Sequence, residues 1–265
     1  MAKKIKFVLT IAGSDSSSGA GIQSDLKTFL NHGLYGLSVV TAVTAQNTLG
    51  VQTSFEIPQE MIEAQLKSIF DDFEIDAIKT GMLSSEKVVE VVSNYLRNKT
   101  HIKIIVDPVL VSKNGYVLLN EKGIDLIRTR LFPLSFLVTP NVPEAEILSG
   151  IKINTADDIE SAAKQIFNYG CRNVLIKGGH MPESAGMKKG VDVLYNGKKF
   201  YLFKSKFIKS YNTHGIGCVF SAAVASNIAL GGTIKSSIVE AKAYLVESLK
   251  KSQKIGKGIG PVEQV

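Results

Sequence analysis

Along the chain, short runs rich in β-branched and aliphatic residues alternate with stretches whose apolar positions recur at helical spacing. The runs at 5–12, 37–45, 77–80, 102–107, 136–139 and 173–177 read as strands. Between them, Ile62, Leu66, Ile69 and Phe70 fall at i, i+4, i+7 and i+8 after Pro58, a residue suited to a first helical turn. Val88, Val92, Tyr95 and Leu96 repeat the pattern. Ile159, Ala163, Ile166 and Phe167 do so again, with Thr155 and Asp158 spaced as a capping box and Gly170 as the stop. Such alternation implies an α/β architecture, with crossover helices covering both faces of a mainly parallel sheet. One interruption stands out. The runs 191–195 and 198–203 flank Asn196-Gly197, a pair tolerant of positive φ, and predict an antiparallel hairpin at a sheet edge. A polar loop, 180–190, precedes it. With no internal repeat or linker, residues 1–265 read as a single domain.

Composition narrows the classes. A chain of 265 residues, 45% hydrophobic and 21% charged, has the makeup of an ordinary soluble protein with a sizeable core. It holds no apolar run of about 18 residues that would span a bilayer. The basic, then apolar, N-terminus superficially resembles a signal peptide, but the apolar run is short and leads into a Gly/Ser loop, so it reads as a first strand and the protein as cytoplasmic. Two cysteines make no disulfide framework, and Cys171, after Gly170 at a helix end, reads as an inert apolar residue. The net charge of +7 comes from scattered lysines, which suits a solvated basic surface better than a nucleic-acid patch.

Ligands of open α/β sheets bind beyond the carboxyl ends of the strands, and the unusual residues fall there. After the first strand comes a small-residue loop opening a helix at 12–27, with Asp25 about one turn in; a flexible strand-to-helix loop is the plain alternative. Neither the dinucleotide glycine fingerprint nor a P-loop is complete in it. Thr44-Ala45-Gln46-Asn47-Thr48 ends the second strand, and the Gln46 amide either reads a heterocycle or ties a loop. Met82, in Lys79-Thr80-Gly81-Met82, is core filler or the wall of an aromatic pocket. Asp107 closes another strand, with Lys113 and Gly115 in the following loop, and Asn141 and Glu144 follow the fifth. Asp107 with Glu144 suits hydrated Mg²⁺, while Glu144 alone also suits a helix first turn. In Asn212-Thr213-His214-Gly215-Ile216-Gly217-Cys218, glycines at a helix N-terminus offer free amides and a positive dipole end to an anion. The same field predicts a lowered pKa for Cys218, making it a candidate proton acceptor. His214 beside it reads as a loop-stabilising residue, with a proton partner as the alternative.

The order Ala-Gly-Ser-Asp, Gly-Ala-Gly-Ile-Gln-Ser-Asp-Leu-Lys-Thr-Phe, Thr-Ala-Gln-Asn-Thr, Lys-Thr-Gly-Met-Leu, Asp-Pro-Val, Thr-Pro-Asn-Val-Pro-Glu-Ala, Lys-Gly-Gly-His and Asn-Thr-His-Gly-Ile-Gly-Cys, over residues 5–250, closely resembles the hydroxymethylpyrimidine/phosphomethylpyrimidine kinases of thiamine biosynthesis. The resemblance implies a ribokinase-like three-layer α/β/α sandwich, a homodimer, and MgATP-dependent phosphorylation of 4-amino-5-hydroxymethyl-2-methylpyrimidine and then of its monophosphate. Carried over, Gln46 would read the aminopyrimidine, Asp25 would lie near its hydroxymethyl group, and Gly13 and Met82 would line the pocket. Asp107, Asn141 and Glu144 would serve Mg²⁺ and phosphates, with Lys177 on the ATP side. Gly215, Gly217 and Cys218 would form the anion hole and its catalytic residue, and a base at 218 would matter more for the first phosphorylation than for the second.

The chain departs from the family's pattern at several places. Asp15-Ser-Ser-Ser-Gly-Ala-Gly replaces the common Asp-Pro-Ser-Gly-Gly-Ala-Gly, an exchange expected to loosen the loop. Ile216 stands where a threonine is usual, and the tail Gly-Ile-Gly-Pro-Val-Glu-Gln-Val lacks a histidine often found there. A pyridoxine or pyridoxal kinase on the same scaffold is the nearest competing reading, and a non-catalytic pyrimidine or nucleotide sensor the next.

Overall fold

A computed structural model describes residues 4–111, 118–180 and 190–264. Lys113, Gly115 and most of the polar 180–190 loop therefore lie outside the described residues. The strands are β1 (Phe7–Asp15), β2 (Tyr35–Asn47), β3 (Gly50–Glu56), β4 (Ala77–Thr80), β5 (Lys103–Val106), β6 (Leu137–Val138), β7 (Val174–Ile176), β8 (Val191–Tyr195) and β9 (Phe200–Lys204). They form a nine-stranded sheet in the order β3-β2-β1-β4-β5-β6-β7-β8-β9. From β2 to β7 neighbouring strands run parallel, whereas β3, β8 and β9 pair antiparallel at the two edges.

The helices are α1 (Gly21–Asn31), α2 (Gln59–Asp72), α3 (Glu86–Leu96), α4 (Glu121–Leu126), α5 (Val142–Ser149), α6 (Ala156–Phe167), α7 (Ile216–Ala229) and α8 (Ile234–Lys251). Alternate strand residues feed opposite faces of the sheet. Ile78, Ile104, Val106 and Val138 join the core beneath α2, α3, α5 and α6, while Ala77, Ile105 and Leu137 join the one beneath α1, α7 and α8. The expected three-layer α/β/α sandwich with an edge hairpin is what the chain forms.

Several limits differ from the sequence reading: β2, for example, runs over Tyr35–Asn47 where the sequence pattern predicts 37–45, and β9 over Phe200–Lys204 where it predicts 198–203. Pro58 is the N-cap of α2, one residue before its first turn. The opposite edge carries β3, whose mostly exposed positions lack apolar alternation and gave no strand signal. β1 runs on through Gly13 and Ser14 to Asp15, with its register against β2 shifting between Ala12 and Ser14. That extension carries the first loop to the rim of the sheet. α7 is buried on nearly all sides, and its Ala and Ser residues let it lie close against the sheet.

Candidate active site

The carboxyl ends of the parallel strands bring the sequence-predicted residues to one rim, in two groups. At the β5–β7 end, Asp107 follows β5 and is 2% exposed. Its Oδ1 accepts from Lys177 Nζ at 2.7 Å and from Thr139 Oγ1 at 3.0 Å, and its Oδ2 from Ser221 Oγ of α7 at 3.2 Å. Burial opposes ionisation of Asp107, but Lys177 and Lys79 outweigh it and hold its pKa below the usual carboxylate range. Lys177 in turn stays protonated in spite of burial, because Asp107 and Glu144 lie beside it.

Asn141 and Glu144 form a reciprocal capping box at the start of α5. Asn141 N–H donates to Glu144 Oε2 at 2.8 Å, and Glu144 N–H to Asn141 Oδ1 at 2.9 Å. Burial pushes the Glu144 carboxyl up to about 7, with Asp107 adding to the rise and Lys177 and the Asn141 N–H opposing it. Among the described residues, no three His, Cys, Asp or Glu side chains gather as a metal cage. Two neighbouring carboxylates still fit Mg²⁺, which takes one or two protein oxygens and completes its shell with water and phosphate. A divalent cation would add positive charge beside buried Glu144, where Lys177 alone does not offset desolvation.

α7 aims its N-terminus at this group. Gly215 is the N-cap at φ 81°, and a Cβ there would stand 1.9 Å from the Gly19 carbonyl oxygen, so only glycine fits the junction. A Cβ on Gly217 would lie 3.5 Å from both Asp107 Oδ2 and Lys177 Nζ, which puts this turn directly over the ion pair. Cys218 is on the same turn, but its predicted low pKa is overturned. Enclosure by protein pushes the thiol up to about 11; Asp25 and Asp107 add to the rise, and Lys79 and the Gly21 N–H only partly offset it. Desolvation and two carboxylates outweigh the helix end, so Cys218 is a thiol at neutral pH. Cys171, 2% exposed, is likewise held as a thiol by burial.

Asp25 lies beneath the rim with no exposed surface. Its Oδ2 accepts from Lys79 Nζ at 2.8 Å and Thr10 Oγ1 at 2.6 Å, and its Oδ1 has no hydrogen-bond partner. Burial pushes its pKa up against the pull of Lys79. Lys79 itself is held protonated in spite of complete burial by the carboxylates of Asp25 and Asp107. Removing either partner would strand a buried charge, at a cost of about 3–5 kcal/mol.

The second group lies around the ends of β1 and β2. A Cβ on Gly13 would meet the Met82 methyl at 2.3 Å, so these two abut. Gln46 is half-buried, with Oε1 3.3 Å from Thr44 Oγ1 and Nε2 3.2 Å from His214 Nε2. His214 Nε2 also lies 2.7 Å from Asp15 Oδ2. Burial raises the Asp15 pKa, but hydrogen bonds from His214 and from Ser17 prevail and bring it down to about 2.

The three serines do not leave the loop untied. Ser16 Oγ donates to the Gln46 carbonyl at 2.8 Å and accepts from the Gln46 N–H at 2.9 Å. Ser17 Oγ donates to Asp15 Oδ1 at 2.7 Å, and Ser18 N–H to the Asp15 carbonyl at 2.9 Å. Ser18 adopts φ 60°, the left-handed conformation, where the family's usual sequence has glycine. The tail has a role as well. His214 N–H donates to the Gly260 carbonyl at 3.0 Å, and Val262 N–H to the His214 carbonyl at 2.9 Å. Asp15 and the tail drew no role from the sequence, because neither carries a local pattern; the long-range pairing with His214 supplies one.

The family model for phosphomethylpyrimidine kinase matches residues 15–263. The chain is 41% identical to a hydroxymethylpyrimidine/phosphomethylpyrimidine kinase of Aquifex aeolicus, covering 94% of this chain and 96% of that one. It is 43% identical to a thiamine biosynthesis bifunctional protein, ThiED, of Geobacter sulfurreducens, covering 97% of this chain but 52% of that protein. The chain thus spans about half the length of the bifunctional relatives. Among solved structures, a pyridoxal kinase of Bacillus subtilis in complex with ADP superposes with a TM-score of 0.88 at 36% identity, covering 98% of each chain. A phosphomethylpyrimidine kinase of Clostridium difficile superposes with a TM-score of 0.80 at 40% identity, covering 92% of this chain and 99% of that one.

Proposed function

The chain belongs to the phosphomethylpyrimidine kinase family, and from that premise we propose that it uses MgATP to phosphorylate 4-amino-5-hydroxymethyl-2-methylpyrimidine and then its monophosphate, in thiamine biosynthesis. The observation that carries this reading is the meeting of the α7 N-terminus with Asp107 and Lys177, so close that a Cβ on Gly217 would stand 3.5 Å from both. Backbone N–H groups at Gly215, Gly217 and Cys218, at the N-cap and first turn of α7, and the Lys177 ammonium beside that turn would supply the donors that neutralise a migrating phosphoryl group.

Asp107 and Glu144 would hold Mg²⁺, which supplies charge neutralisation on the ATP phosphates, and Asn141 keeps Glu144 in place by capping. At the other group, the Gln46 amide meets the ring edge, with Gly13 and Met82 as the wall. Asp25 acts from below through Lys79. In each transfer the bond from the γ-phosphorus to the ADP oxygen breaks as a new bond to the acceptor oxygen forms. The first acceptor is an alcohol that must shed a proton. The second is a monoester with a second pKa of about 6, already largely dianionic at pH 7. A protonated Cys218 is suited to donating weakly toward the transferred group, not to taking the alcohol's proton, which passes to an oxygen of the transferred phosphoryl group and from there to solvent, so positioning and charge carry both steps.

A pyridoxal kinase activity is the second reading, favoured by the 0.88 TM-score to the Bacillus subtilis pyridoxal kinase. Parallel assays of ADP release with the aminopyrimidine and with pyridoxal decide between them. The pyrimidine is expected to have the higher kcat/KM, and the reverse order overturns the proposal. ATP-saturating binding of the pyrimidine without ADP release would support a sensor instead. We further propose that the chain works in the cytoplasm as one domain and as a homodimer. The exposed Val43, Leu49 and Phe55 on the β2–β3 edge support the dimer, which light scattering would test. No helix among the described residues is long and apolar enough to cross a membrane.

A further inference from the structure

Gln46 carries a donor and an acceptor on one planar amide, and which end faces which neighbour is decided by hydrogen-bond order. His214 Nε2 stands 2.7 Å from an Asp15 carboxylate oxygen, a separation that requires a proton on Nε2. A protonated Nε2 cannot accept from the Gln46 NH₂, which would be the partner at 3.2 Å. The other end of the amide poses the same conflict. Thr44 Oγ1 spends its single proton on the Ser14 carbonyl at 2.8 Å, so it has none to give a Gln46 oxygen at 3.3 Å. Turning the amide over resolves both. The oxygen then takes the weaker arm of a three-centre bond from the single His214 Nε2–H, whose stronger arm goes to Asp15 Oδ2, and the NH₂ donates to a lone pair of Thr44 Oγ1.

We propose that His214, anchored by Asp15, is a specificity-determining positioning residue that fixes the amide of Gln46 with its oxygen toward His214 and its nitrogen toward Thr44 of β2. The inference rests on the reading of Gln46 as the group that meets the ring. In this orientation one N–H and one oxygen lone pair remain, in a set order. The edge that satisfies them offers an amine donor next to a ring-nitrogen acceptor, as a 4-aminopyrimidine does. Pyridoxal offers an aldehyde oxygen beside a phenolic oxygen and has no amine to give the amide oxygen.

The ring is built in firmly. Its backbone is held on both sides by Gly260 and Val262, and a Cβ on Gly19 would stand 2.5 Å from His214 Cδ2 and 2.8 Å from Pro261 Cβ. Ser16 grips the Gln46 backbone, leaving the amide plane as the freedom that His214 and Thr44 must set.

Two measurements test this. Long-range ¹H–¹⁵N spectra of the ligand-free wild-type chain read the protonation of the His214 ring nitrogens directly. A proton on Nε2 is expected, and a bare Nε2 overturns the hydrogen-bond order whichever substrate the enzyme prefers. Kinetics and calorimetry then compare His214→Leu, which removes the donor, with His214→Gln, which keeps one. His214→Leu is expected to raise KM for the aminopyrimidine by about tenfold with little change in kcat, and to leave the Kd of pyridoxal unchanged or lower. His214→Gln should restore most of the KM. Equal losses on both ligands, or a fall in kcat at constant KM, overturn the specificity role. If His214→Leu does not fold, the Gln variant and the wild-type spectra still decide. A wild-type preference for pyridoxal overturns the proposed function, and the specificity claim with it.

Discussion

The two halves of the rim use opposite physics. Around Gln46, recognition is by the order of donors and acceptors: an amide, a hydroxyl and an imidazole, anchored on one ionised carboxylate. Around Asp107, it is by stacked charge, with Lys177 and Lys79 set among Asp107, Glu144 and Asp25 under a helix N-terminus. The difference teaches what each half can tolerate. Isosteric changes that reverse a donor should cripple the first half and barely touch affinity for ATP, whereas isosteric changes that remove a charge should cripple the second.

The largest effect expected is at Asp107. Asp107→Asn keeps shape but leaves Lys177 without its carboxylate, and kcat should fall by about a hundredfold or more with a smaller change in KM for the pyrimidine. A loss confined to pyrimidine KM would erase the division between the halves.

Next comes Glu144, whose carboxyl burial holds near 7 rather than 4.5. Between those values the folded chain keeps a proton that the unfolded chain has released, so this group's contribution to stability falls as pH rises from 4.5 to about 7 and is level above. Glu144→Gln can still accept the Asn141 N–H. Without nucleotide or divalent ions, it should be more stable than the parent by about 2 kcal/mol at pH 8 and near parity at pH 4.5. Urea melts at the two pH values check this, and parallel pH profiles in parent and variant would refute it.

Cys218 should show a smaller effect. As a thiol with a pKa raised to about 11, it is not a standing base, and Cys218→Ala is expected to slow both phosphorylations by a similar factor of about ten. A selective loss of the first step in single-turnover assays would restore the base role. The smallest effect is at Ser18, whose φ of 60° strains a residue bearing a Cβ. Ser18→Gly should stabilise the chain by about 1 kcal/mol in thermal or urea melts without altering substrate preference.

Much of this was legible in the residues. Strands buried on both faces announced themselves as apolar runs, and β4 and β8 fall at their expected limits, because hydrophobic burial writes a local pattern. β3 did not, since an edge strand with polar exposed positions has no such pattern. The site residues could be named from motifs, but the Cys218 pKa was misjudged because a helix end is visible in sequence whereas burial beside Asp25 and Asp107 is not. The serine loop was misjudged for a related reason: the Ser16–Gln46 clamp joins residues separated by 30 positions. Spacing along the chain cannot disclose such a partner.

The bonds that close the rim reach far along the polypeptide: His214 to Asp15 spans 199 positions and Ser221 to Asp107 spans 114. Loop closure of that length is entropically slow and is rewarded only once the intervening sheet exists. After dilution from denaturant, circular dichroism should therefore recover ahead of turnover, with catalytic competence the last property regained.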